Sequence, residues 1–246
     1  MTFENKISRL AGFLYLVVVV TGVFSLAYVP TQITLSGDPR TVVNNIMTSE
    51  SLFRFGIAAF MILQVAFLLL PLVLFRLLRP VDEAMAACMV ALAVVSVPIA
   101  LVSLSSRLDA LSLLTDMRYA AMFTPQQLQA EVLLALGEYR SGLFIAKLFW
   151  GLWLFPFGYL VFRSGFLPKI LGILLMLGCV GYLVEVFGEL LIPGYTESGV
   201  SRFVGKPAAM GEIGTCLWLL FIGARPPRFN AIQQVAAADA ASRQRG

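Results

Sequence analysis

The sequence predicts an all-α polytopic membrane protein: a bundle of six transmembrane spans with an external helical segment between spans three and four. Hydrophobic residues make up 59% of the chain and charged ones 13%. Soluble domains carry roughly 45–50% and about 25%, so water cannot be the main solvent here. Six apolar stretches reach or approach the roughly 20 residues needed to cross a hydrocarbon core about 30 Å thick. Lys and Arg gather in alternate connections, the distribution that fixes the orientation of a polytopic chain.

The first span covers residues 10–29, after Lys6 and Arg9. Lys6 and Arg9 also resemble the basic start of a signal peptide, and Ser25-Leu26-Ala27 resembles a cleavage site. The apolar run is longer than the usual signal core, which favours a retained helix. The second span covers residues 52–75 and leads through Arg76 and Arg79-Pro80 into the third, residues 84–104. Proline opens a helix readily but disrupts its interior, so a tight helical hairpin is expected there.

A connection of more than 30 residues follows the third span. Within it, Thr124-Pro125-Gln126-Gln127 has the pattern of a capping box with proline at the first helical position, so a helix should begin there. Its apolar positions Leu128, Val132, Leu133 and Leu136 suit a face lying either on the bilayer or over the bundle mouth. The fourth span covers residues 141–162, and a short turn ending in Pro168 leads to the fifth, residues 170–192. The sixth, residues 207–224, is near the minimum length.

With the N-terminus inside, Lys6, Arg9, Arg76, Arg79, Arg163, Lys169, Arg225 and Arg228 all fall on the cytoplasmic side. Both termini are therefore expected in the cytoplasm. Residues 1–224 form a single bundle domain on this reading, and residues 225–246 a cytoplasmic C-terminal tail. The partner expected from composition is the lipid bilayer, with a partner membrane protein or a homo-oligomer left open. No run of Lys and Arg interleaved with exposed aromatics points to nucleic acid.

Ionisable residues near or inside the spans carry the functional information. Arg54 begins span two, Arg107 follows span three, Arg140 precedes span four, and Lys147 lies two turns further in. Glu185 and Glu189 lie in the outer half of span five, with Glu212 one turn into span six. A charge at the centre of a membrane helix costs about 2.5–3.5 kcal/mol on insertion scales, so such residues turn inward and find partners. Glu185 and Glu189 share a helix face at i,i+4 spacing and would repel unless a cation stands between them. Lys147 or Arg54 could supply it.

Two readings follow from this set. In one, Arg54, Arg107, Arg140, Lys147, Glu185, Glu189 and Glu212 line an external-side charged cavity that binds a small polar or ionic ligand, as in a transporter-like or sensing module with proton coupling. In the other, the charges are structural ion pairs of a non-catalytic scaffold or partner subunit. A lipid-modifying enzyme using carboxylate or lysine chemistry is a third possibility.

The chain has no histidine. That removes Ser-His-Asp catalysis and the metal and haem sites in which histidine normally serves. No phosphate loop or dinucleotide fingerprint occurs, and no cofactor or metal is expected. Cys88, Cys179 and Cys216 lie in apolar segments without close spacing, and the expectation for each is a small buried apolar residue.

Several segments also resemble a known family. They are Arg9-Leu-Ala-Gly-Phe-Leu-Tyr15, Ser49-Glu-Ser-Leu-Phe-Arg54-Phe-Gly, Leu77-Leu-Arg-Pro80, Arg163-Ser-Gly-Phe-Leu-Pro168-Lys-Ile-Leu-Gly172, and Gly211-Glu212 ahead of Leu217-Trp-Leu-Leu220. Together they are similar to the bacterial DUF4386 family of multi-pass membrane proteins, whose function is uncharacterised. The resemblance implies a plasma-membrane location and supplies no catalytic residues.

Overall fold

A computed structural model describes residues 3–224. Helix α1 (Phe3–Gly22) continues through a π-helical segment, Val23–Tyr28, into the short α2 (Val29–Gln32). Thr21 and Ser25 donate their hydroxyls back to the carbonyls of Val17 and Thr21, which satisfies them inside an apolar helix. Then come α3 (Pro39–Thr48), capped by Asp38, and the long antiparallel pair α4 (Glu50–Leu78) and α5 (Glu83–Thr115). Asp82 opens α5 by accepting the Met85 N–H at 3.0 Å.

The connection after span three is almost entirely helical, more so than the single helix expected within it. Helix α5 runs eleven residues past the expected end at residue 104. The short helix α6 (Met117–Met122) follows, opened by Asp116. The Arg118 side chain hydrogen-bonds to Asp116 and holds that carboxyl below its usual range. The capping box forms as expected: Thr124 accepts from the Gln127 N–H while the Gln127 side chain accepts from the Thr124 N–H. The helix it starts is not a separate surface segment. Helix α7 (Pro125–Leu152) continues directly into the membrane, and Val132 and Leu136 are buried against the bundle.

Helix α7 breaks at Trp153 before α8 (Leu154–Ser164). The cause is Pro156, which lacks an N–H and whose ring clashes with the carbonyl four residues earlier, that of Leu152. Aromatic rings fill the break. Trp153 stacks on Phe157 at 5.1 Å between centroids, and Phe67 meets Trp153 edge-on at 5.2 Å.

The turn from α8 to α9 (Lys169–Leu191) gives the Arg163-Ser-Gly-Phe-Leu-Pro motif a structural meaning. Gly165 ends α8 at φ +73°, a left-handed conformation that glycine adopts without penalty. The Ser164 hydroxyl donates to the Val161 carbonyl and accepts from the Leu167 N–H, Leu167 is buried, and Pro168 immediately precedes α9. Above this turn the two helices cross almost backbone to backbone: a Cβ on Gly158 would stand 2.6 Å from the Gly172 carbonyl oxygen, and a Cβ on Gly172 equally close to that of Gly158.

A single-turn 3₁₀ segment, Tyr195–Glu197, and the short α10 (Ser201–Val204) lead to α11 (Lys206–Leu217), which ends in a second π-helical turn, Trp218–Ile222. Five helical stretches are long and apolar enough to cross a membrane: Asn5–Gln32, Glu50–Leu78, Glu83–Thr115, Pro125–Ser164 and Lys169–Leu191. The sixth expected span, α11 with its π turn, falls short of that length. The expected tail, residues 225–246, lies outside the described residues.

Helix α1 packs on α4, α5 on both α4 and α7, and α9 on α8, α7 and α11. One buried cluster, with Tyr15, Leu74, Met89 and Phe157, fills the half nearer the N-terminus. A second, with Val29, Phe53, Leu104 and Leu136, fills the opposite half, called here the distal end.

Replacing Gly172 with leucine should force α8 and α9 apart. Overpacking of this kind costs about 1–3 kcal/mol or more. The measurement is thermal unfolding in detergent, where Gly137→Leu, at an open position, should show little change.

Candidate functional site

Lys147 and Glu185 face each other because α7 and α9 pack side by side. The Lys147 Nζ lies 3.4 Å from Glu185 Oε2 and 3.9 Å from Glu189 Oε2. The i,i+4 pair of glutamates thus has the cation that their spacing calls for. All three side chains are partly covered, and one lysine ties two turns of α9 to α7.

The other expected members stand elsewhere. Arg54 donates to Glu50 Oε1 at 2.7 Å, one turn back on its own helix, and more than half of its side chain is exposed. Exposed pairs of this kind add little stability. Glu212 accepts a hydrogen bond of 3.2 Å from the Tyr15 hydroxyl, joining α11 to α1. Arg107 is 3% exposed, with its guanidinium 4.1 Å from the Tyr139 ring centroid and 5.4 Å from that of Phe53. Its Nε and Nη1 have no hydrogen-bond partner among the described residues. Arg140, exposed, lines the same cleft as Arg107.

The seven residues therefore do not converge on an external-side charged cavity, and that expectation is corrected. The structure holds Lys147, Glu185 and Glu189 in an interhelical clasp, gives Glu212 to Tyr15 and Arg54 to Glu50, and leaves the carboxylates apart from Arg107 and Arg140. Structural ion pairs, the other reading of the same residues, describe what is seen. A proton-coupled ligand site loses its basis because the two glutamates are already shared by one lysine.

Sequence reasoning missed the partners more than the charges. Glu50 could have been found, since it precedes Arg54 by four residues on one helix. Nothing in the sequence linked Tyr15 to Glu212 or Tyr139 to Arg107, because each of those contacts joins two different helices. Glu138 was likewise unassigned, and it accepts from the Ser106 hydroxyl at 3.2 Å. Ser96, Ser103 and Ser105 bond back to carbonyls of their own helix. Gln64 does not bond across helices: it is fully buried and its amide has no partner among the described residues.

Cys179 and Cys216 are buried as expected, but Cys88 is exposed, so its expected burial is corrected. It lies on a face of α5 that neighbouring helices leave uncovered. Among the described residues no group of three His, Cys, Asp or Glu side chains could hold a metal ion.

Tyr15→Phe removes the hydroxyl that meets Glu212. Hydrogen bonds between membrane helices contribute about 0.5–2 kcal/mol, so a loss in that range is expected in detergent unfolding. An unchanged stability would mean that the contact carries no weight in joining α11 to α1.

The model of a family described as a domain of unknown function, DUF4386, matches residues 10–223. An uncharacterised protein of Archaeoglobus fulgidus is 32% identical over 105 residues, covering 43% of this chain and 59% of that protein. The match thus spans less than two thirds of the relative's length. No solved structure matches.

Proposed function

We propose that this protein, which belongs to the DUF4386 family, is a non-catalytic membrane scaffold or partner subunit whose intramembrane charges are structural ion pairs. The observation that carries this reading is the clasp of Lys147 on Glu185 and Glu189. Lys147 is engaged by two acceptors and fixes the rotation and depth of α9 against α7.

Holding α9 in that rotation presents a regular outer face. Ile173, Leu177, Val180, Val184, Phe187 and Leu191 are all exposed, and they recur at alternating spacings of four and three. That is the spacing by which one helix packs along another. The opposite face of α9, with Gly172, Leu175, Gly178 and Cys179, is buried inside the bundle. A partner's transmembrane helix, or that of a second copy, would lie along the exposed seam.

On this reading α11 and its π turn complete a sixth span. Its 12 and 5 residues rise about 25 Å, slightly less than the hydrocarbon core. An even number of spans puts both termini on one side. The cluster of Lys6, Arg9, Arg76, Arg79, Arg163 and Lys169 toward one end of the helices supports a cytoplasmic assignment for that side of an inner membrane.

The test is purification in mild detergent, with the mass of the complex as readout. A stoichiometric membrane partner or a defined oligomer is expected, lost in Val180→Trp while the thermal midpoint is retained. Isolation as a lone chain, or a complex indifferent to both Val180→Trp and Val184→Trp, would contradict the reading.

A further inference from the structure

Arg107 is the described bundle's most conspicuous unmet demand. A guanidinium almost fully removed from solvent normally meets a carboxylate or several carbonyls, because an uncompensated buried charge is costly. Here two aromatic rings flank it, while Nε and Nη1 find no acceptor among the described residues. It lines a cleft of about 320 Å³ together with Ser25, Ser36, Tyr139 and Arg140. Two cations thus share the cleft, and no carboxylate among the described residues pairs with either.

The cleft does not stand alone. Leu26 on the π-helical segment after α1 lines it and also lines a second cleft of about 320 Å³. The walls of the second cleft are apolar, with Val19 and Val23 on one side and Trp150 and Trp153 on the other. Its acidic member, Glu212, has one carboxylate oxygen engaged by Tyr15. The N-terminal helix with its π segment forms one wall of both clefts. The other wall includes α7, from Leu136 through Arg140 to Trp150, with which α1 makes no substantial packing contact.

The clefts therefore form one groove, basic at its distal end and apolar toward the middle of the bundle. From Arg140 on α7 to Trp153 just past its end it runs about 20 Å by helical rise, comparable to one leaflet with its headgroups, half of a bilayer about 40–45 Å thick. Val23, Leu26 and Ile213 at its lips are exposed, which opens it sideways to the bilayer rather than only to solvent.

We infer that the groove between α1 and α7 holds a glycerophospholipid, with its phosphodiester on Arg107 and Arg140 and one acyl chain along Val19, Val23 and Trp150. The planar guanidinium can donate two parallel hydrogen bonds to phosphate oxygens. The exposed Ser36 at the cleft offers a hydroxyl to the glycerol ester region. Lipid from the surrounding leaflet supplies both the missing anion and the missing packing. The inference does not depend on the scaffold reading, since the groove lies along α1 and α7 and the proposed partner seam along α9.

The test uses the full chain in non-ionic detergent, stripped of lipid and then titrated with phosphatidylglycerol, diacylglycerol or inorganic phosphate. Thermal unfolding and native mass spectrometry are the readouts. Phosphatidylglycerol should raise the midpoint and leave one retained lipid per chain, while diacylglycerol, which lacks the phosphate, and inorganic phosphate, which lacks the chain, should do neither.

Arg107→Gln should weaken retention by about tenfold or more, equivalent to about 1.4 kcal/mol. Arg54→Gln, outside the groove, should leave it unchanged. Val23→Trp fills the apolar trough from a lipid-facing position and should abolish retention with both arginines intact, so it carries the test if Arg107→Gln does not fold. An equal shift with inorganic phosphate would overturn the proposal in favour of a soluble anion. Full retention in Arg107→Gln or in Val23→Trp would overturn it in favour of lipid adhering without a site.

Discussion

Lys147 between Glu185 and Glu189 is the contact on which the arrangement of the bundle depends. Hydrocarbon offers a charged group no solvation, so the position of such a group is set by where its counter-charge can be met. One lysine on α7 answering two glutamates on α9 leaves little freedom for those helices to slide or rotate. Helix α9 in turn positions α8 through the Gly158–Gly172 crossing and α11 through their shared face. The set of charges that looked like a binding site is largely the means by which the helices find their places.

Much of the fold was legible in the sequence, for physical reasons that apply to any membrane chain. Apolar length shows where helices can cross, and it located five stretches correctly. The capping box at Thr124 was legible because its hydrogen bonds are local to four residues. What the local pattern could not reveal was that the helix it starts would run on through Arg140 and Lys147 into the membrane. Charged residues at the expected boundary concealed that continuity. Arg107 misled in the same way: it read as lying beyond the end of a span, yet α5 continues past it, with Tyr139 and Phe53 covering its side chain.

The site was legible only in its membership. The sequence identified Lys147, Glu185 and Glu189 and even the need for a cation between the two glutamates, because i,i+4 spacing fixes that geometry within one helix. The partners of Glu212 and Arg107 depend on how distant helices rotate against each other, and no periodicity encodes that rotation. The break at Trp153 shows the same limit. Pro156 could be read as a helix disruptor, but whether such a break holds a ligand or is packed with rings depends on Phe67 and Tyr15 from other helices.

The most direct test of the central claim is a double-mutant cycle between Lys147→Met and the paired change Glu185→Gln with Glu189→Gln, read by reversible unfolding in detergent. A structural clasp predicts that the combined variant is more stable than the sum of the separate losses allows, with a coupling of about 1 kcal/mol or more. Strictly additive losses would contradict the account, for they would mean that the lysine and the glutamates act separately.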